Sequence, residues 1–237
     1  MRVRVATTAL GITAALLAVP ACSSGAAGTK SDPASSAPAG KPARSDRNAA
    51  LLSSAVLETR LLDESDLLGD YVRKPERPAQ HDDVTVVGCP ALSELGGDAA
   101  TGGTLSFPHK AKATFTYAGS TSEVSEELYS DSANKLSDGK SRIFDAMTGC
   151  PSYQVVAGGT PIDMASQKLP VPHGLGDEQW SQLLTFSAGG RSTVVKQTAI
   201  RDGSLLLIVS GSPALVDRHL DKALAKATAT SCPGRHP

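Results

Sequence analysis

Apolar and polar residues alternate along much of the chain. Ala111, Ala113, Phe115 and Tyr117 stand against Lys112, Thr114 and Thr116, the period of two that marks a half-buried strand. Glu123 to Tyr129 sets Val124 and Leu128 among acids, and Gly119-Ser120-Thr121 lies between the two runs as a hairpin loop. Further strands are predicted at Tyr153–Val156 and Ile162–Leu169, and longer ones at Gln179–Ser187, Ser192–Arg201 and Ser204–Ser210. Gly189-Gly190 and Asp202-Gly203 supply the positive-φ residues that tight hairpins need. His173 to Asp177 reads as a turn, and Tyr71-Val72 as the start of a strand.

Helical spacing occurs in five places. Leu51, Leu52, Ala55 and Val56 fall on one face of a helix over Asn48–Leu57. Asp63 is placed to cap a short helix ending at Leu68, with Gly69 closing it. A helical turn follows Cys89 over Pro90–Leu95. Ala133–Met147 turns Leu136, Ile143, Phe144 and Met147 inward, with Gly139 weakening its middle by about 1 kcal/mol. Ser212-Pro213 supplies an N-cap and a first-turn proline for a closing helix to about Ala229, with Val216, Leu220, Ala223, Leu224 and Ala227 on one face. Glu76 to Asp83 reads as an exposed loop. This order of elements predicts an α+β fold: an antiparallel sheet (meander) with amphipathic helices packed on it, one domain over residues 47–229.

The amino terminus points to a compartment. Arg2 and Arg4 precede an uncharged apolar run from Val5 to Val19, and Val19-Pro20-Ala21-Cys22 follows where a cleavage site is expected. Residues 1–21 are therefore read as a signal peptide. Cys22 is read as a lipidation site that would hold the chain on the extracytoplasmic face of the cell membrane. A cleaved, unmodified secreted chain and a retained helix are the alternatives; the run is short for a span of about 20 residues, and Pro20 ends it. Residues 22–46 hold Ser, Ala, Gly and Pro with no large apolar side chain, so nothing offsets the entropy of ordering them. They are expected to be a disordered tether reaching roughly 25–30 Å. Residues 230–237 form a short tail.

Composition narrows the chemistry. Lys+Arg 23 against Asp+Glu 24 in 237 residues leaves no basic surplus for a nucleic-acid binder. Aromatic residues are only 4%, with a single Trp180, which argues against stacking platforms. With Cys22 assigned to lipid, three of the four cysteines remain. Cys89 and Cys150 are each followed by proline at the boundary of a predicted element, so a Cys89–Cys150 disulfide is expected in an oxidising compartment. Cys232 is left in the tail, frayed or as an intermolecular or redox thiol.

Five stretches resemble actinobacterial lipoproteins related to the extracellular sensor domain of mycobacterial serine/threonine protein kinases. They are Leu61-Leu62-Asp63-Glu64-Ser65-Asp66-Leu67, Gly88-Cys89-Pro90, Met147-Thr148-Gly149-Cys150, Leu175-Gly176-Asp177-Glu178, and the terminal strands with their helix. The resemblance spans about Leu61 to Ala229. It implies an α+β sandwich with a cleft that senses or binds an envelope ligand. No kinase domain is present, and no ligand residue transfers.

Ser132-Ala133-Asn134-Lys135 and Ser137-Asp138-Gly139-Lys140 match Ser-x-x-Lys, in which a lysine one turn away deprotonates a serine. The accompanying Lys-Thr-Gly is missing. The five histidines are scattered and read as surface residues, and Asp82-Asp83 and Glu126-Glu127 read as solvated charge. Lys74 to Pro78 reads as a linker that could touch a partner, and Tyr129 and Trp180 as core. No catalytic, metal or cofactor residue is predicted. The expected function is a membrane-anchored, non-catalytic, sensor-like domain for an envelope ligand or protein partner. A hydrolase with an unrecognised serine site, or a scaffold subunit of an envelope complex, is the alternative.

Overall fold

The computed structural model describes residues 50–76, 84–96, 99, 107–117, 119–171 and 174–229. The expected signal peptide, lipidated Cys22 and tether, most of the Glu76–Asp83 segment, His173, Cys232 and the expected tail lie outside them. Residues Arg47–Pro237 form one compact unit.

Nine strands and four helices have defined bounds among the described residues. They are α1 (Ser54–Arg60), β1 (Tyr71–Arg73), β2 (Val84–Val87), α2 (Pro90–Leu95), β3 (His109–Tyr117), β4 (Glu123–Ser130), α3 (Ala133–Gly149), β5 (Ser152–Ala157), β6 (Thr160–Lys168), β7 (Glu178–Ala188), β8 (Arg191–Asp202), β9 (Leu205–Gly211) and α4 (Pro213–Thr228). The strands make one sheet in the order β1-β3-β4-β9-β8-β7-β6-β5-β2, and every pairing is antiparallel. The fold is α+β, as the element order predicts. Strands β5 to β9 run as a meander, and β9 lies against the β3–β4 hairpin.

The helices cover opposite faces at opposite ends. On the first face α1 and α4 pack over β3, β4, β9 and β8, and the core there is built on Leu57, Phe115, Leu128, Leu207, Val216 and Leu220. On the second face α2 and α3 pack toward β7, β6, β5 and β2, around Leu92, Met147, Tyr153, Val155 and Leu184. A smaller cluster of Tyr129, Leu136, Ala199, Leu206 and Ile208 continues this second face toward β4. From Glu126 to Ser130 strand β4 is covered on both sides, so Glu126, Glu127 and Ser130 are buried.

Three local readings are corrected. The first helix begins at Ser54 rather than Asn48, because Ser53 caps it through its side chain, accepting from Val56 N at 3.4 Å. Leu52 N instead donates to Ser130 Oγ at 2.9 Å, tying the preceding segment to the sheet. Asp63 to Leu68 forms turns, not a helix: Asp66 N and Leu67 N reach back three residues, to Asp63 O and Glu64 O. Asp63 Oδ1 accepts from Ser65 N (2.8 Å) and Asp66 N (3.1 Å), so the side chain replaces the helical bonds it was expected to start. Strand β2 was not anticipated; four residues, Val-Thr-Val-Val, give too short a pattern.

Gly139 has a packing reason to be in the middle of α3. A Cβ there would come within 2.8 Å of the Phe107 ring, which also packs edge-on against Tyr129.

Cys89 and Cys150 are joined by a disulfide with Cα atoms 5.8 Å apart. Cys89 immediately precedes α2 and Cys150 follows α3, so the bridge pins the end of the sheet that carries β2.

Candidate functional site

The strand registers align one row of residues across the second face. Thr114 faces Ser125, Ser125 faces Ser210, Ser210 faces Gln197, Gln197 faces Gln182, and Gln182 faces Lys168. All six are polar, whereas Ile208 of β9 and Ala199 of β8, beside the row, are apolar and buried. Helix α3 buries the middle of the row. There Gln182 Nε2 donates to Gln197 Oε1 (3.1 Å) and Ser166 Oγ donates to Gln182 Oε1 (3.5 Å). Lys140 of α3 adds a donor from above, with Nζ 2.9 Å from Gln197 Oε1. Burial lowers the Lys140 pKa to about 8, and the nearby Glu127 carboxylate opposes that shift.

Beyond the helix the row opens. Thr114, Ser125 and Ser210 line a cleft of about 350 Å³, with Thr121, Thr193, Val195 and Ser212 around it. Ser125 Oγ and Ser210 Oγ share a hydrogen bond of 2.8 Å. Lys112 stands at its wall and donates to Glu127 Oε1 (2.5 Å), while Tyr129 OH donates to Glu127 Oε2 (2.5 Å). The same Lys112 borders a second cleft of about 290 Å³ with Glu58, Arg73, Glu76 and Lys110.

The structure revises several residue readings. Glu126 and Glu127 are not solvated: they are 1% and 6% exposed. A pair of acids in a strand reads as surface until β4 is known to be covered on both faces. Neither Ser-x-x-Lys hit assembles a reacting pair. Ser137 donates to Glu178 Oε1 (3.1 Å) while Lys140 is spent on Gln197, and Lys135 pairs with Asp131 (3.4 Å) beside an exposed Ser132. His219 is not a surface residue. It sits in the buried stripe of α4, 2.6 Å from Tyr71 OH, and burial lowers its pKa. Tyr129 is in the core, and Trp180 packs against its cluster. Lys74 pairs with Glu123, fixing the start of the Lys74–Pro78 segment. Among the described residues no group of three or more His, Cys, Asp or Glu is placed to hold a metal ion. No described helix is long and apolar enough to cross a membrane.

Glu126 lies on the other side of β4, beneath the Asp63–Leu68 turn. Its Oε2 accepts from Leu62 N at 2.6 Å, and its Oε1 has no partner among the described residues. Burial raises its pKa to about 7, against the partial opposition of the Leu62 hydrogen bond and Lys226. The folded chain therefore holds a proton that the unfolded chain has released. The stability this contributes is full below about pH 4.5 and is lost as pH rises through 7, a fall of about 3 kcal/mol for this group alone. Glu126→Gln is expected to flatten that slope. Urea melts at pH 5 and pH 8 measure it, and an unchanged slope would show that Glu126 titrates normally.

No protein-family model matches the sequence, and no curated protein sequence does. Solved structures that match it include two mycobacterial proteins. The Rv0999 ortholog from Mycobacterium smegmatis is 10% identical over 70% of this chain and 93% of its own, with a TM-score of 0.39. The extracellular domain of PknH from Mycobacterium tuberculosis is 13% identical, over 75% of this chain and 95% of its own, with a TM-score of 0.53. The chain thus shares the fold of a mycobacterial kinase's extracellular domain.

Proposed function

We propose that the chain is an extracytoplasmic lipoprotein whose folded domain binds an envelope ligand or a protein partner without catalysing a reaction. Cys22 carries the lipid, and the tether holds the domain off the membrane. The observation that carries the binding reading is the polar row that leaves the core and opens into a hydroxyl-lined cleft. Buried polar groups are retained at a cost unless they are bonded. Here Gln197 accepts from both Gln182 and Lys140, which fixes the buried end of the row next to Ser210 of the cleft. In both Ser-x-x-Lys stretches the lysine is engaged elsewhere, Lys140 by Gln197 and Lys135 by Asp131, which favours the binding reading over a serine hydrolase. The shared fold of the PknH extracellular domain and the Cys89–Cys150 bridge both suit an oxidising, extracytoplasmic setting.

Native mass spectrometry tests this on the full chain, expressed in a lipoprotein-processing host and extracted in detergent. The expected mass lacks residues 1–21 and carries a diacylglyceryl increment, which Cys22→Ala removes, and a non-covalent envelope molecule is retained. An intact leader with no lipid increment would overturn the anchor. A domain that retains nothing would overturn the small-ligand form of the binding reading.

A further inference from the structure

Strand β8 is longer than the neighbour on one of its sides. It pairs with β7 along its full length, out to Arg191 opposite Ala188. Its pairing with β9 stops at Lys196 opposite Gly211. There β9 ends, and Ser212-Pro213 turns the chain into α4. Among the described residues, Arg191 to Val195 have no strand partner on the β9 side. The vacant lane is roughly 17 Å long at strand spacing.

Antiparallel ladders alternate their bonding residues from one side of a strand to the other. Leu169 N donates to Ser181 O, so odd-numbered residues of β7 bond toward β6 and even-numbered ones toward β8. Opposite those even residues, β8 bonds to β7 through Arg191, Thr193 and Val195. Ser192 and Val194 therefore aim their N–H and C=O groups into the lane. Val194 is also 45% exposed, an unusual state for valine in a twelve-residue strand inside a nine-stranded sheet. The hydroxyl cleft lies on this lane, with Thr193 and Val195 on one bank and Thr121 and Ser125 on the other. The charges beside the cleft are already paired, Lys112 with Glu127 and Glu123 with Lys74, and Arg191 stands only at the lane's outer end. What the lane offers is main-chain hydrogen bonding between neutral walls.

We propose that this lane takes an extended, uncharged peptide segment of a partner protein, which adds as a strand in line with β9 and bonds the backbone of Ser192 and Val194. Strand addition of this kind draws affinity from the main chain and selectivity from alternate side-chain pockets. The inference rests on reading the chain as a binding domain, and it narrows the partner to a peptide.

The test pans a phage-displayed library of random linear heptapeptides on the immobilised full chain. Enriched peptides are expected to bind the parent and to bind Val194→Pro at least tenfold more weakly. Proline removes one of the two N–H groups that point into the lane, and leaves the β7 ladder intact because Val194 does not bond to β7. Matching circular dichroism spectra of parent and variant certify the fold. Should the variant misfold, hydrogen exchange on the parent decides: a bound peptide must slow the Ser192 and Val194 amides. No enriched peptide, equal binding to the variant, or unprotected Ser192 and Val194 amides would overturn the proposal. So would a parent dimer that Val194→Pro dissociates, since a second copy would then fill the lane. Peptides that bind elsewhere would leave the binding-domain reading standing while removing the lane from it.

Discussion

Gly211→Ala is expected to lower the melting temperature by roughly 10 °C or more, a loss of about 3–5 kcal/mol. Gly211 closes β9 with φ +143, where side chains are strained. A Cβ there would sit 2.1 Å from Glu123 O, 2.8 Å from Val124 Cα and 2.9 Å from Glu123 C. All three are backbone atoms of β4, and none can swing aside as a side chain would. The two strands would have to part, breaking the Ser212 N to Glu123 O bond of 2.8 Å that starts the path into α4. Gly190→Ala separates the two costs. Gly190 also has positive φ (+76), but nothing lies within 4 Å of its Cβ position, so it carries conformational strain alone, about 1 kcal/mol. Calorimetric scans of both variants give the comparison. Equal melting temperatures would mean that the close approach of β9 to β4 is absent in solution.

The Cys89→Ser/Cys150→Ser double variant is expected to lose about 4 kcal/mol. The bridge closes a loop with a sequence separation of 61 residues, and removing it frees that loop in the unfolded chain. Removing both cysteines prevents either from pairing with Cys232. The loss should be local in the folded state as well: β2 is a four-residue edge strand paired only with β5 among the described residues, and α2 packs beside it. Limited proteolysis should therefore cut the double variant first near residues 84–96. A melting curve that overlays the parent's would show that the bridge contributes nothing.

The hairpins were legible because their turns are chemically specific. Gly189, Gly190 and Gly203 all take positive φ, and the strands they join are found where alternation places them. The α4 stripe was legible for the same kind of reason, a helical period with a proline at its first turn. Sheet order was not, since nothing local tells β9 to insert between β4 and β8, or β2 to pair with a strand that follows α3. The polar row was hidden for a related reason. Its members come from six strands, and each alone reads as an ordinary outward-facing residue. Only registers fixed by tertiary packing bring them into line. Glu126 and Glu127 misled most, because β4 is buried from both sides, by α3 on one face and on the other by α1 and α4, which are distant in sequence.

Helices α1 and α4, the first and last of the described unit, lie on the same face, and Arg60 Nη1 donates to Ala227 O at 2.9 Å. The hydroxyl cleft opens on the opposite face. The start of the domain is therefore one seven-residue helix away from its finish, on the side away from the cleft. Joining them through a short linker and reopening the chain at an exposed turn such as Gly158-Gly159 would yield a circular permutant with the same strand neighbours and an undisturbed cleft.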